Sequence, residues 1–210
     1  MKTKNISSAV IKRLPRYYRY LGDLLKKKVE RVSSMELSRL MSVTASQIRQ
    51  DLNCFGGFGQ QGYGYDVATL HGEIGAILGL DRGYTSIIVG GGHIGHSIAN
   101  HSNFKNRGFN LCAIFDIDPA VIGTDINGIT VKSMDEIEDY IRENRPDIAV
   151  LALPKSVAPS VAEKLVSYGI RGFWNFSSCE LNLPEGVPVE NVHLSDSIMT
   201  LSYHIRDLDE

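Results

Sequence analysis

The pattern of apolar and polar positions changes near residue 80 of the 210-residue chain. Before that point apolar residues recur at helical spacing over residues 9–25, where Pro15 kinks one helix or separates two, and again over residues 67–78. After that point short β-branched runs alternate with helical patterns, which is typical of a parallel sheet with crossover helices. The sequence therefore predicts an α/β protein with a helical N-terminal domain and a parallel-sheet domain.

Two helices of the N-terminal domain are predicted to be joined by a very short turn. Ser33 lies three residues before Glu36, and Thr44 lies three residues before Gln47, which is the spacing of a capping box at the start of a helix. Only two residues separate the first of these helices from the cap of the second. This arrangement is typical of a helix-turn-helix.

The second helix of such a motif enters the major groove of duplex DNA with its N-terminal residues facing the base edges. Glutamine can pair with adenine there, and arginine with guanine or a phosphate. The polar residues of this helix expected to contact DNA are Thr44, Ser46, Gln47, Arg49 and Gln50.

A glycine-rich segment with aromatic residues between the glycines follows over residues 56–65. It suits a tight hairpin whose tip approaches the DNA backbone closely, although a flexible linker is the alternative interpretation. Its position behind the helix pair favours a hairpin, or wing, and thus a winged helix. Its expected DNA contacts are Gln60, Gln61 and Tyr63.

The charges divide along the chain in the same way. Residues 1–80 carry 12 Lys and Arg against 6 Asp and Glu, whereas residues 81–210 carry 10 against 18. All 12 N-terminal cations lie before residue 50, where only three acids oppose them. Such a focused positive charge attracts polyanions; a solvated basic helix face is the alternative, and the neighbouring helix pair favours DNA.

A glycine turn directly follows the first predicted strand of the second domain, residues 85–89. The turn has the spacing G-x-G-x-x-G over residues 90–95, in which the glycines allow the turn, the approach of a pyrophosphate and the packing of the helix on the strand. The phosphates would lie at the N-terminus of the following helix. The order strand, glycine turn, helix is typical of a dinucleotide-binding Rossmann domain.

Asp116 ends the second predicted strand, 21 residues after Gly95, where an acid accepts hydrogen bonds from the adenosine ribose. Ile117 and Asp118 follow it, so a ribose 2′-phosphate would meet repulsion, and NAD(H) is favoured over NADP(H). The alternative interpretation makes Asp116 a helix cap before Pro119. The residues expected to contact the cofactor at this site are Gly90, Gly91, Gly92, His93, Ile94, Gly95, Asp116, Ile117 and Pro154.

The last predicted element is one amphipathic helix over residues 195–207. The expected domains are a winged helix over residues 1–79, a Rossmann domain over 80–192 and a C-terminal helix over 193–210. A dehydrogenase normally adds a substrate domain, for which the short tail has no room, so we expect no catalytic residues. A small NAD-dependent oxidoreductase, with His93, His96 or His101 as acid or base, and a CoA- or nucleotide-binding scaffold stay open as alternatives.

The longest apolar stretches are strand-length, far short of the roughly 20 residues that span a bilayer, and the first residues offer no apolar core for a secretory signal. We therefore expect no membrane partner and a cytoplasmic location. Cys54, Cys112 and Cys179 lack the paired spacing of a zinc site or a redox couple, so no metal is expected.

Five motifs carry a family resemblance: R-L-P-R-Y-Y at residues 13–18, Q-I-R-Q-D-L at 47–52, G-Y-G-Y at 62–65, the glycine turn at 90–95 and Phe115-Asp116. On these the chain resembles the Rex family of redox-sensing repressors over essentially its full length. The resemblance implies a homodimer whose winged helices bind operator DNA, whose Rossmann domains bind NADH or NAD, and which leaves the DNA when NADH is high. It also implies that the last helix inserts into the partner subunit and that Arg16 lies between the two domains.

The chain departs from the family pattern at several of these places. Gln50, Gln60 and Gln61 stand where the family usually has basic residues, which predicts fewer phosphate contacts and a smaller salt dependence of DNA binding. His101 stands for the usual tyrosine near the nicotinamide, and His193 for the usual aspartate before the last helix. A switch that is altered, and sensitive to pH near neutrality, is therefore an alternative to the usual one, as is a purely structural role for both histidines.

Overall fold

The computed structural model describes residues 6–60, 63–101 and 107–208, without the side chains of residues 59 and 60. It divides the chain into one unit that ends at Arg82 and one that begins at Gly83. The boundary predicted at residue 79 lies three residues before this division. Each unit has its own hydrophobic core.

The first unit is a helical domain with a small sheet. Its elements are α1 (Ser8–Lys26), β1 (Arg31–Val32), α2 (Ser34–Met41), α3 (Ala45–Asn53), β2 (Gly59–Gln60), β3 (Gly64–Asp66) and α4 (Val67–Ile77). Helix α1 continues through Pro15, so the first apolar pattern forms one helix. Its buried face, with Leu14, Tyr17 and Leu21, packs into a core that all four helices share.

Helices α2 and α3 form the predicted helix-turn-helix. Ser33 Oγ accepts a hydrogen bond from Glu36 N, and Glu36 Oε2 accepts one from Ser33 N, which completes the first capping box. The second box was predicted wrongly, because only its first half forms. Thr44 Oγ1 accepts from Gln47 N at 3.1 Å, but the Gln47 side chain bonds to Asp51 instead of returning to the cap.

The glycine-rich segment forms a hairpin and is not a flexible linker over its described residues. Strands β2 and β3 pair antiparallel, and β3 also pairs with β1. Gly64 has a φ of +71°, and a Cβ there would lie 2.7 Å from the carbonyl oxygen of Val32. The close approach of β1 therefore requires glycine at this position.

The second unit is a mainly parallel sheet with helices on both faces. Its elements are β4 (Tyr84–Val89), α5 (His93–Ala99), β5 (Phe109–Asp116), β6 (Asp125–Ile126), β7 (Ile129–Ser133), α6 (Ile137–Asn144), β8 (Ile148–Leu151), α7 (Ala158–Tyr168), β9 (Gly172–Asn175), β10 (Val189–Asn191) and α8 (Leu194–Arg206). The strand order is β10-β9-β8-β4-β5-β7-β6, in which only β6 is antiparallel. The six parallel strands follow the 3-2-1-4-5-6 order of a Rossmann sheet.

The hairpin of β6 and β7 and the strand β10 were not predicted. The turn between β6 and β7 is Asn127-Gly128, with φ values of +55° and +81°. Both residues are left-handed, as a two-residue hairpin turn requires. The Asn-Gly pair was therefore the available signal for the hairpin. Strand β10 has only three residues, lies at the edge of the sheet and pairs only with β9.

The two faces of this sheet are covered differently. Helices α6 and α7 bury apolar residues such as Ile141 and Leu165 on one face, and α5 buries Ala99 on the other. Helix α8 has no buried residue, and its apolar residues lie in solvent. Those more than half exposed are Leu194, Ile198, Met199, Leu201, Tyr203 and Ile205.

Candidate functional site

A buried carboxylate joins the second helix of the helix-turn-helix to α1. Asp51 on α3 is fully buried, and its Oδ2 accepts hydrogen bonds from Arg13 Nε at 2.6 Å and Tyr17 Oη at 2.9 Å. Its Oδ1 accepts from Arg13 Nη2 at 2.8 Å and Gln47 Nε2 at 2.9 Å. Burial by itself would raise the pKa of Asp51, but the hydrogen bonds from Arg13, Gln47 and Tyr17 hold it below its ordinary value.

Sequence reasoning missed Asp51 and Arg13. Gln47 and Asp51 are four residues apart, so they share a helix face, and that spacing was a usable signal. Arg13 lies 38 residues away from Asp51 in the chain, and only the packing of α1 on α3 reveals the pair.

Most of the predicted DNA contacts on α3 face solvent. Thr44, Ser46, Arg49 and Gln50 are exposed, whereas Gln47 is half-buried. Arg49 Nη1 donates to Ser34 Oγ at 3.0 Å, which places the guanidinium near the start of α2. The exposed end of α3 thus combines a cation with small hydroxyls and amides, as a surface for phosphates and base edges requires.

The wing carries an exposed aromatic side chain beside a cation. Tyr63 is 70% exposed, and its carbonyl oxygen accepts a hydrogen bond from Arg31 Nη1 at 3.3 Å. Of the other predicted wing contacts, Gln61 lies outside the described residues, and so does the side chain of Gln60.

The glycine turn lies at the carboxyl end of β4, beside the point where the strand order reverses. Gly90 has a φ of +102°, and a Cβ there would lie 2.4 Å from the carbonyl oxygen of Ala152. A Cβ at Gly95 would lie 1.8 Å from the carbonyl oxygen of Gly90, so α5 packs on the turn with no room for a side chain. A Cβ at Gly92 would meet no atom within 4 Å. The turn therefore leaves open space at its middle glycine, where the Rossmann pattern admits a pyrophosphate.

Asp116 at the end of β5 is held against this turn. Its Oδ2 accepts a hydrogen bond from Gly91 N at 2.6 Å, and its Oδ1 accepts from Ile117 N at 2.7 Å and Asp118 N at 2.9 Å. No helix lies between Asp116 and β6, a stretch that is described throughout, so the helix-cap interpretation of Asp116 is wrong. The carboxylate joins the glycine turn to the end of β5.

Four of the remaining predicted cofactor contacts lie at the same edge of the sheet, and His101 does not. His93 and Ile94 begin α5 and are exposed, and Ile117 is 80% exposed. Pro154 follows β8, and its carbonyl oxygen accepts from Val157 N at 3.1 Å. His101 is exposed and follows the far end of α5, where the carbonyl oxygen of Ala99 accepts a hydrogen bond from Asn127 Nδ2 just before β7, so it lies at the opposite edge of the sheet from the glycine turn.

The predicted switch residues have partners of their own. Arg16 Nη2 donates to the carbonyl oxygen of Met41 at 2.6 Å, at the end of α2. His193 Nε2 lies 3.6 Å from Glu180 Oε1, and Glu180 Oε2 accepts from Asn191 Nδ2 at 2.7 Å. Whether His101 and His193 meet across a dimer, and whether Arg16 lies between the domains, stay predictions.

Two kinds of feature are absent from the part of the chain that the structure describes. No group of three His, Cys, Asp or Glu side chains is arranged to hold a metal ion. No helix there is long and apolar enough to cross a membrane.

Two family models match the two units of the chain. The model described as "Putative DNA-binding protein N-terminus" matches residues 5–53, which include α1, α2 and α3. The model described as "CoA binding domain" matches residues 81–179, which include the glycine turn and most of the sheet.

Known proteins resemble the chain over its whole length. The redox-sensing transcriptional repressor Rex of Clostridioides difficile (strain 630) is 54% identical over 204 residues, which is 97% of each chain. Rex of Clostridium tetani (strain Massachusetts / E88) is 52% identical over 209 residues, covering 100% of this chain and 99% of its own.

Solved structures agree with this likeness. RSP in complex with β-NAD⁺ and operator DNA superposes with a TM-score of 0.91 at 51% identity, covering 98% of this chain and 95% of RSP. RSP in complex with β-NADH gives a TM-score of 0.91 at 48% identity, covering 98% and 97%. RSP is a Rex-family repressor. The chain belongs to the Rex family of redox-sensing transcriptional repressors.

Proposed function

We propose that this protein represses transcription by binding operator DNA through its first unit and that it leaves the DNA when NADH binds its second unit. The observation that carries the proposal is the pairing, in one chain, of an exposed helix-turn-helix with a glycine turn that leaves room for a pyrophosphate. The family consists of regulators, so the small oxidoreductase is not the favoured function.

The first unit supports DNA binding through the exposed end of α3 and the wing. Thr44, Ser46, Gln47, Arg49 and Gln50 are the proposed contacts on α3, and Tyr63, Gln60 and Gln61 those on the wing. The related RSP has been crystallised with operator DNA. Binding to duplex DNA is therefore the chemistry that best fits this surface.

The second unit supports a nicotinamide dinucleotide. The open space at Gly92 suits the pyrophosphate, and Asp116 lies beside the turn, where its outer lone pairs can accept from ribose hydroxyls. Crystals of RSP contain β-NAD⁺ or β-NADH. NAD(H) is thus the proposed ligand, and CoA, which the description of the second family model names, is the competing ligand to test.

The coupling between the ligands requires two states. Two helix-turn-helix units of a dimer fit successive major grooves, about 34 to 36 Å apart, in only one relative orientation. NADH acts as a switch if it binds the DNA-incompetent state more tightly than the competent one, and by linkage DNA then weakens NADH binding by the same factor.

Fluorescence anisotropy with a labelled palindromic operator tests this proposal. We expect NADH to raise the Kd for the operator at least tenfold and NAD to change it little. A shuffled duplex is the control, and thermal shifts with NADH, NAD and CoA taken separately identify the ligand. Unchanged operator affinity in the presence of bound NADH would contradict redox sensing.

The homodimer is proposed from the exposed helix α8. Six large apolar residues of this helix are more than half exposed, which is a larger apolar surface than a solvated helix carries. An apolar hollow of about 480 Å³ on the α5 side of the sheet, lined by Phe109, Leu111 and Trp174 among others, is a second such surface.

The double variant Ile198→Glu, Ile205→Glu is expected to be monomeric by light scattering, with Asp196→Lys as the charge control. A dimeric double variant would contradict the role of α8.

The histidines leave a second form of the switch to test. His193 Nε2 lies 3.6 Å from Glu180 Oε1, directly before α8. A Rex-like regulator with this altered trigger predicts that replacing His193 by glutamine changes the ratio of operator affinities measured with NAD and with NADH. A His193→Gln variant that keeps the wild-type ratio would contradict that form.

A further inference from the structure

The buried carboxylate of Asp51 controls which atoms of Gln47 remain for a ligand. A carboxylate only accepts hydrogen bonds, so Gln47 must turn its amide nitrogen towards Asp51 Oδ1, at 2.9 Å. The reverse orientation of the amide would bring two acceptor oxygens together. The Gln47 carbonyl oxygen Oε1 therefore points away from Asp51.

The remaining partners of Asp51 keep this orientation in place. Arg13 occupies both carboxylate oxygens, and Tyr17 occupies Oδ2, so the carboxylate cannot rotate without losing several hydrogen bonds. Both partners come from α1, which is packed in the core. The Gln47 amide is thus fixed by a buried group and not by solvent.

We propose that Asp51 is a positioning residue that makes Gln47 present its carbonyl oxygen to a base with an exocyclic amino group in the major groove, adenine N6 or cytosine N4. The proposal rests on the proposed DNA binding of α3, because Gln47 lies in the first turn of that helix. Guanine and thymine offer the acceptors O6 and O4 at the corresponding place, so an outward carbonyl oxygen would select against them.

The first test removes one amino group of the operator at a time. Each adenine of a half-site is replaced by purine, and each cytosine by 2-pyrimidinone, and anisotropy gives the affinity. We expect one position to cost the wild type about tenfold, as 1–3 kcal/mol per base contact implies, and to cost the variant Gln47→Met less than twofold. The sensitive base then tells adenine from cytosine. If no position distinguished Gln47→Met from the wild type, the inference would be overturned. Specific operator binding by the wild type would in that case leave the proposed function standing.

The second test separates orientation from stability with two variants of the same network. In Asp51→Asn the new amide can donate to Gln47, which lets the Gln47 amide turn over, so the tenfold preference falls to threefold or less with an unchanged salt dependence. Tyr17→Phe also loses a hydrogen bond to Asp51 but keeps the one from Gln47, so it retains the preference. Equal loss of preference in both variants would show a merely structural role and overturn the proposal.

A measurement on the wild type covers the case in which Asp51→Asn does not fold. The side-chain amide protons of Gln47 and of the exposed Gln50 can be compared by hydrogen exchange in the full chain. We expect exchange of one Gln47 proton to be at least tenfold slower than that of Gln50. Equal exchange rates would mean that the hydrogen bond to Asp51 does not hold the amide, and the inference would fall.

Discussion

The glycine turn gives the sharpest test of cofactor binding, because two glycines three residues apart differ in what a side chain would meet. In Gly95→Ala the new Cβ would lie 1.8 Å from the carbonyl oxygen of Gly90, whereas ordinary contact begins at 3.4 Å, so helix and turn must separate by about 1.6 Å. The obstacle is backbone and cannot rotate away. We expect a cost of about 3 kcal/mol, the upper end of overpacking, which lowers the melting midpoint of the second unit by roughly 10 °C.

Gly92→Ala is the matched variant, since its Cβ meets no atom within 4 Å and its backbone φ of −66° is open to alanine. We expect its melting midpoint to equal that of the wild type within about 2 °C, because nothing is overpacked. The methyl group nevertheless enters the space that a pyrophosphate needs, so the Kd for NADH rises at least tenfold.

Calorimetry without ligand and titration with NADH measure the two effects separately. Gly95→Ala is expected to lose both stability and binding, and Gly92→Ala binding alone. Wild-type NADH affinity in Gly92→Ala would refute the placement of the pyrophosphate. An unchanged midpoint in Gly95→Ala would refute the packing of α5 on the turn.

Three further predictions concern single side chains. The hydrogen bonds that lower the pKa of Asp51 below its ordinary 3.8 stabilise the first unit above that pH, and this stability is lost as the pH falls through the lowered pKa. Circular dichroism should therefore show a melting midpoint that decreases when the pH is lowered below 4, and the decrease should be less steep in Tyr17→Phe. Equal midpoints at pH 3 and pH 7 would contradict this. Thr44→Ala removes the cap of α3 and should lower the free energy of unfolding, measured with denaturant, by about 1 kcal/mol, whereas Thr44→Ser should leave it unchanged. Equal stability of Thr44→Ala and the wild type would contradict the role of the cap. Asp116→Asn should weaken NADH at least tenfold by titration, because an amide cannot accept all three backbone N–H bonds, with Asp118→Asn as control; equal affinities would count against the anchor.

Local signals in the sequence were sufficient for most of the architecture. Caps, apolar periodicity and the glycine turn each depend on residues within about one turn or strand of each other, and they located the helix pair, the sheet and the last helix. The hairpin of β6 and β7 was missed although the pair Asn127-Gly128 is typical of a two-residue hairpin turn. Strand β10 was missed because three residues are too few to show the alternation of apolar and polar positions that predicts a strand.

The site was only partly predictable, for a different reason. Ser46 and Gln50 could be chosen as exposed polar residues of α3, since helical periodicity tells exposed from buried positions. The partnership of Asp51 with Arg13 could not, because it joins residues far apart in the chain and depends on how α1 packs. Nor could spacing show that the Asp116 carboxylate already accepts three backbone N–H bonds.

Asp116 and Asp51 share a property that changes how binding defects should be interpreted. Each carboxylate holds other parts of the protein in place, so its replacement removes a support as well as any ligand contact. A loss of NADH binding in Asp116→Asn therefore cannot by itself be assigned to the ribose. A ligand lacking the adenosine 2′-hydroxyl removes the contact and leaves the support intact. If Asp116 binds that hydroxyl, the hydroxyl contributes to binding in the wild type and contributes nothing in Asp116→Asn, whereas purely structural support predicts equal contributions in both.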